Sequence, residues 1–125
     1  MILSLMLAAA SPQPTVCAKL TGDYENASKR LAMIFAEGVS DNSAVRATMR
    51  EGQESNIRTD ARETLELMKL HKCKLPTSTP NAGPYVTQAM RCRLDRLKQE
   101  LNPTGAAPES CDSSKWKDEH QAETQ

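Results

Sequence analysis

Apolar residues recur at every third or fourth position through three stretches of this chain. The longest stretch runs from residue 42 to residue 73, and a shorter one lies on each side of it. This spacing puts the apolar side chains on one face of an α-helix, whereas a strand would alternate every second residue. The chain has 125 residues, which is enough for one small domain. We therefore predict an all-α fold, a small antiparallel bundle of three helices.

Local signals predict where the helices begin and end. The stripe of the first helix starts at Leu20, and Gly38 is a suitable stop because glycine enters the left-handed conformation easily. The polar residues 40–43 can cap the long helix. Gly52 lies inside that helix and costs about 1 kcal/mol relative to alanine. A break at Gly52 would give four helices instead of three.

Two apolar stripes need a partner. The stripe of the long helix consists of Val45, Met49, Ile57, Ala61, Leu65 and Met68. Pro84 suits the first turn of a third helix. The stripe of that helix consists of Val86, Met90, Leu94, Leu97 and Leu101. We expect both stripes to face the core of the bundle.

The chain contains an even number of cysteines, at Cys17, Cys73, Cys92 and Cys111. Aromatic residues make up only 3% of the chain, so the core is thin, and small domains of this kind often need covalent cross-links. We predict two structural disulfides in an oxidising compartment. An antiparallel topology favours Cys17–Cys73 with Cys92–Cys111 over Cys73–Cys92 with Cys17–Cys111. Sequence alone leaves the pairing open.

The first residues indicate the compartment. An apolar run at residues 2–10 ends in Ala8–Ala10, which fits the small-residue site of a signal peptide. The run is too short to span a bilayer, and the alternative is a buried helix turn. We expect residues 1–10 to be a signal peptide, residues 17–101 to form the bundle, and residues 102–125 to form a polar tail that docks near Cys111–Trp116. The protein would then be periplasmic or secreted.

The charge of the chain is unevenly distributed, although its formal net charge is zero. Between residues 69 and 98, seven basic side chains face one acid, Asp95. These basic residues are Lys69, Lys72, Lys74, Arg91, Arg93, Arg96 and Lys98. They indicate a patch for an anionic partner. The alternative is a solvated face that the acidic tail covers.

The sequence carries no signal for catalysis. It has no G-x-S-x-G elbow, no glycine-rich phosphate loop and no H-E-x-x-H motif. We predict no catalytic residue, no metal site and no cofactor. His71, Cys73 and Cys92 suggest a redox or metal protein as an alternative, but the cysteines lack the short spacing that such sites use.

Three runs carry a resemblance. They are residues 24–28 (YENAS), residues 42–50 (NSAVRATMR) and the closing pattern Cys-Asp-x-Ser-x-Trp at residues 111–116. With these runs the chain resembles small, uncharacterised exported helical proteins of alphaproteobacteria, over most of the mature chain. The resemblance implies export, and it carries over no activity and no functional residues.

These observations lead to a functional expectation. We expect an exported, non-enzymatic binding protein of the bacterial envelope, with another protein or an anionic envelope component as its partner. We expect no transmembrane segment after processing. Nucleic acid is not expected as a partner, because interleaved aromatic residues and a basic net charge are missing. An inhibitor or immunity-type protein is a further alternative, and the oligomeric state stays open.

Overall fold

The structure is a computed structural model, and it describes residues 14–103 and 105–120. Its three helices are α1 (Pro14–Ser40), α2 (Ala44–Leu70) and α3 (Val86–Leu101). The two described ranges contain no β-strand. The prediction of an all-α fold with three helices and two disulfides is confirmed. The predicted signal peptide at residues 1–10 lies outside the described residues.

Helix α1 is longer than the sequence predicted at both ends. It begins at Pro14 rather than near Leu20, because proline fits the first helical position, where no N–H is needed. Cys17 therefore lies inside α1. At the other end α1 continues through Gly38 to Ser40, so the expected stop at Gly38 is wrong.

Helix α2 is continuous through Gly52. The hydroxyl of Ser43 caps its start by accepting a hydrogen bond from the Arg46 N–H at 3.4 Å. At its end the Cys73 N–H donates to the Met68 carbonyl at 2.9 Å, and Lys72 takes the left-handed conformation with φ 55°. This is a Schellman-type end, which satisfies carbonyls that the last turn leaves free.

Helix α1 is central in the bundle. Helix α2 packs antiparallel on one side of it, and α3 packs on another side, while α2 and α3 share no extensive interface. Helix α3 runs in the same direction as α1, because the Lys29 ammonium lies over the Tyr85 ring and Arg93 Nε donates to Ser40 Oγ at 3.0 Å. The helices therefore run up, down and up, as an antiparallel bundle requires.

Each face of α1 contributes to its own hydrophobic cluster. The first cluster, between α1 and α2, contains Leu20, Tyr24, Ala27, Leu31, Ile57, Ala61, Met68 and Cys73. The second cluster, between α1, α3 and the tail, contains Ala32, Ala36, Tyr85, Ala89, Cys92 and Trp116. The Cys17–Cys73 disulfide closes the first, with Cα atoms 5.4 Å apart, and Cys92–Cys111 closes the second, with Cα atoms 4.7 Å apart. The favoured pairing is therefore confirmed.

Helix α3 uses a different face from the one predicted. It packs on α1 through Ala89 and Cys92, and Tyr85, which precedes its first residue, is buried beside them. Leu94 and Leu101, which we expected to face the core, are 53% and 88% exposed. The small side chains of Ala32, Ala36 and Ala89 favour a close approach of the two helices, and this fixes which face of α3 turns inward.

The loop and the tail position α3 along the bundle. In the loop, the Tyr24 hydroxyl donates to the Ser78 carbonyl at 3.3 Å, and the Asn81 N–H donates to Ser28 Oγ at 3.0 Å. The loop therefore runs along α1, and α3 begins beside the middle of α1. In the tail, Trp116 Nε1 donates to the Ser110 carbonyl at 2.8 Å, and Trp116 is buried. None of the helices in the described ranges is long and apolar enough to cross a membrane.

Candidate functional site

The half of α2 next to the α1–α2 turn contributes no buried residue. The buried residues of α2 are Ile57, Ala61 and Met68, and none lies between residues 44 and 56. Two helical turns before Ile57 and Ala61, the same helix face carries Arg50 and Glu54. Charged side chains thus occupy the core-facing positions in this half of α2. Here α1 and α2 lie side by side without a buried hydrophobic core between them.

The predicted stripe of α2 is wrong in this half. Val45 and Met49 are 73% and 51% exposed. Met49 lies eight residues before Ile57, which rotates it about 80° around the helix at 3.6 residues per turn. Val45 and Met49 therefore do not lie on the core-facing side of α2.

The missing core leaves an open groove between α1 and α2, which we call the hairpin groove. Its volume is about 510 Å³. Its apolar part is lined by Leu31, Ile34, Phe35, Val39 and Ala47, with Gly38 between them. Its charged rim consists of Arg50, Glu51, Glu54 and Arg58, and Asn81 and Ala82 close one end. Phe35 and Val39 are 51% and 60% exposed, so the groove presents large apolar side chains to solvent.

The side chain of Arg50 extends from the charged rim across the groove to α1. A Cβ atom on Gly38 would lie 3.2 Å from Arg50 Nε, so the arginine side chain crosses α1 where α1 has no side chain. Arg50 forms no hydrogen bond and no ion pair with the part of the chain that the structure describes, although its charge acts on Asp41. It is only partly exposed to solvent. The groove therefore offers a cationic donor that forms no ion pair with a described residue.

Asp41, at the turn, is held as a carboxylate. The backbone N–H of Ser43 donates to it at 3.2 Å, and this bond lowers the pKa of the carboxyl below its ordinary value. The charges of Arg46 and Arg50 act in the same direction. Arg46 Nε lies 3.7 Å from the Asp41 carboxylate. The Asp41 carboxylate thus stabilises the turn before α2 through Ser43 and Arg46.

The predicted basic patch is divided between the two ends of the bundle. Lys69, Lys72 and Lys74 flank Cys73, which is bonded to Cys17 near the start of α1. Arg93 contacts Ser40 at the end of α1. Cys17 and Ser40 are 23 residues apart along α1, or roughly 35 Å at 1.5 Å per residue. The three lysines and the basic side chains of α3 therefore do not form one surface.

The three residues of the redox or metal alternative are also separated. Cys73 and Cys92 belong to different disulfides and to different hydrophobic clusters. His71 follows the last residue of α2, where its N–H donates to the Leu67 carbonyl at 3.0 Å. Among the described residues, no three His, Cys, Asp or Glu side chains are close enough together to hold a metal ion.

A second concave surface, of about 840 Å³, lies between α1, the loop and the tail. Tyr85, Glu25, Asp118 and His120 line it. Burial raises the pKa of the Tyr85 hydroxyl, and the negative charges of Asp118 and Glu25 raise it further. Tyr85 thus stays neutral up to a higher pH than an exposed tyrosine. The contacts here hold the tail against α1, and we assign this surface a structural role.

Comparison with known proteins identifies no relative. No protein-family model matches the chain, and neither does any curated protein or solved structure. The geometry of the described residues is therefore the basis for a functional proposal.

Only a weak signal for the hairpin groove is present in the sequence. Phe35 is a large apolar residue beside Ile34 in the first helix, and periodicity alone would assign such a residue to the core. The informative signal was the charge at Arg50 and Glu54, two turns before Ile57 and Ala61. A charged residue at a core-facing position of a helix indicates an open or partnered surface.

Proposed function

We propose that this chain is an exported, non-enzymatic interaction protein of the bacterial envelope, which binds another protein through the hairpin groove. The observation that carries the proposal is the open groove, with exposed Phe35 and Val39 around the side chain of Arg50. The two disulfides support the envelope location, because such bonds persist in oxidising compartments.

The dimensions of the groove indicate what it can accept. It follows α1 from residue 31 to 39 and α2 from residue 47 to 58. These lengths correspond to about 12–16 Å, or two to three turns of a partner helix. Arg50 favours a partner that brings a carboxylate, because a charged group inside an apolar surface is costly unless it is paired. We infer that the partner presents an amphipathic helix with an acidic side chain.

The binding test places a photo-crosslinking residue in the groove of the full chain expressed in its host. We expect Phe35→benzoylphenylalanine to trap one partner protein, because Phe35 is half exposed on the groove wall. The same residue at Glu63, an exposed position of α2 outside the groove, is the matched control. Equal products from both positions would contradict the proposal.

The purified partner allows a quantitative test. We expect Arg50→Glu to weaken binding by 2–5 kcal/mol, roughly 30-fold or more, because it sets two carboxylates against each other in a partly buried site. Arg62→Glu, an exposed residue of α2 away from the groove, should leave the Kd unchanged. Equal effects of the two variants would show that net charge matters and the groove does not.

Export is tested separately. Intact mass of the protein from the envelope fraction should show loss of residues 1–10, and thiol alkylation should require reduction. Retention of Met1 together with alkylation of the native protein would overturn the envelope location.

A further inference from the structure

The end of the bundle opposite the hairpin groove carries exposed leucines and lysines together. Leu67, Leu70 and Leu75 are 46%, 74% and 42% exposed. Lys69, Lys72 and Lys74 lie between them in the chain, and all three are exposed. Within residues 66–75 they face a single acid, Glu66. We call these six residues the lysine–leucine end.

The lysines here are available for a ligand. Lys69 Nζ lies 3.1 Å from Glu66, in an exposed pair that is worth little in water. The backbone N–H of Lys72 donates to the Lys69 carbonyl at 3.1 Å, but the ammonium groups of Lys72 and Lys74 form no hydrogen bond or ion pair with the described residues. Lys72 also sits at the left-handed position of the helix end, with φ 55°, where glycine would be less strained. The chain thus carries a lysine there at a cost in stability and without a described contact that offsets it.

The leucines lie on a part of the bundle that is held in place. Leu70 is the last residue of α2, and Leu75 follows Cys73 by two residues. The Cys17–Cys73 bond holds this segment at the end of the hairpin. The leucines are therefore presented on a fixed scaffold and are not part of a loose loop.

We propose that the lysine–leucine end docks on an anionic bilayer surface. Lysines attract the negative headgroups, and leucines next to them enter the boundary between headgroups and acyl chains. A soluble acidic protein would satisfy the lysines, but three exposed leucines alternating with them fit an interface that is charged outside and apolar beneath. The proposal specifies the anionic envelope component as lipid. It does not rest on the hairpin groove, which would face away from the membrane.

The test is co-sedimentation of the full chain with phosphatidylcholine vesicles that contain about one third phosphatidylglycerol, compared with phosphatidylcholine alone. We expect binding to the anionic vesicles that weakens as salt is added, because screening shortens the reach of the lysine charges. Absence of binding to either type of vesicle, or equal binding to vesicles with and without phosphatidylglycerol, would overturn the proposal.

Two variants locate the contact. Each lysine near an anionic surface contributes about fivefold to partitioning, so Lys72→Glu with Lys74→Glu should weaken binding at least about 25-fold. Leu70→Ser with Leu75→Ser should weaken it about tenfold or more, through lost apolar burial. Unchanged ellipticity at 222 nm and an unchanged Tm would establish that the fold is intact, since α1 and α2 contribute most of the helical signal.

Matched controls exist on α3. Arg96→Glu with Lys98→Glu makes the same change of charge on the other basic segment, and Leu94→Ser with Leu101→Ser removes the same number of exposed leucines. Both controls should keep the wild-type partition coefficient. Equal losses in controls and variants would refute a specific docking end. Phe35→Asp alters the hairpin groove and should leave vesicle binding unchanged. Vesicle binding by this variant therefore distinguishes lipid docking from partner binding in the hairpin groove.

A protein partner at the same end would give a different pattern. The lysine variants would then lose retention in the envelope fraction, while the wild-type chain would not bind protein-free vesicles. That combination would overturn lipid docking in favour of an acidic protein.

Discussion

Among the described residues, Lys72 is the only one other than glycine with a positive φ. Its Cβ atom crowds the following carbonyl in this conformation, at a cost of roughly 1–2 kcal/mol. We expect Lys72→Gly to raise the free energy of unfolding by about 1 kcal/mol in urea titrations. Lys72→Ala keeps the Cβ and should give no gain. If alanine stabilised as much as glycine, the lysine charge and not the backbone would be the cause.

Tyr85 makes the stability depend on pH at the alkaline end. Burial, followed by the charges of Asp118 and Glu25, raises the pKa of its hydroxyl in the folded state above the ordinary value of about 10. The folded state therefore holds this proton more tightly than the unfolded state. The resulting stabilisation is complete below pH 10 and is lost as the pH rises through the folded pKa.

We therefore expect Tm of the wild-type chain to fall as the pH rises above about 10, and to fall less steeply in Tyr85→Phe. Tyr24→Phe is the control, since it removes the other tyrosine of the chain. Parallel curves for wild type and Tyr85→Phe would contradict the assignment. The absorbance at 295 nm gives a second reading, because the tyrosinate signal that Tyr85→Phe removes should titrate above pH 10.

At the scale of the helices, three glycines provide an internal comparison. A Cβ atom added at Gly22 or Gly52 meets nothing within 4 Å, whereas at Gly38 it would lie 3.2 Å from Arg50 Nε. We expect Gly22→Ala and Gly52→Ala each to stabilise by about 1 kcal/mol, the helix propensity of alanine over glycine. Gly38→Ala should gain less, because Arg50 must move. Thermal unfolding followed at 222 nm measures the stability of the three variants. Equal gains in stability would show that the position of the Arg50 side chain over α1 does not contribute to stability.

The helices were predictable because they depend on local rules, whereas the disulfide pairing was only favoured by the predicted topology. Periodicity identified the three helices, and an antiparallel topology brought Cys17 beside Cys73. The faces of α2 and α3 were predicted less well. Large apolar residues were assigned to the core, but the α1–α3 contact uses Ala89 and Cys92, which are fully buried, and leaves Leu101 exposed. Small side chains carry little periodic signal, and which of them lie in a contact depends on how closely two helices approach.

The candidate sites were also hard to predict, because they depend on how the helices pack against each other. The basic residues were correctly seen as unevenly distributed in sequence, but their division between two ends depends on the loop that shifts α3 along α1. No local rule gives that shift, since it depends on contacts such as that between Asn81 and Ser28. Leu67 and Leu70 do not belong to the predicted stripe of the long helix, and periodicity indicated no role for them. They could be recognised as part of a docking surface only when the structure placed Leu75 and the lysines at the same end of the bundle.

At the scale of the molecule, α1 belongs to both hydrophobic clusters, and this predicts cooperative unfolding. Neither α2 nor α3 has an extensive contact with the other, so each depends on α1 for its packing. Loss of the first cluster should therefore release the second. Trp116 is the only tryptophan of the chain and lies in the second cluster, so its emission reports there, while the ellipticity at 222 nm is dominated by the long helices α1 and α2.

Removal of one disulfide tests this coupling. The Cys17–Cys73 bond spans 56 residues, and its loss in Cys17→Ala with Cys73→Ala should cost about 4 kcal/mol, or roughly 15 °C in Tm. Cys92–Cys111 spans 19 residues, so Cys92→Ala with Cys111→Ala should cost about 3 kcal/mol. In the first variant the Trp116 transition should fall together with the transition at 222 nm, although Trp116 lies in the other cluster. A Trp116 transition that stays at the wild-type temperature would show two independent units, and α1 would then not couple them.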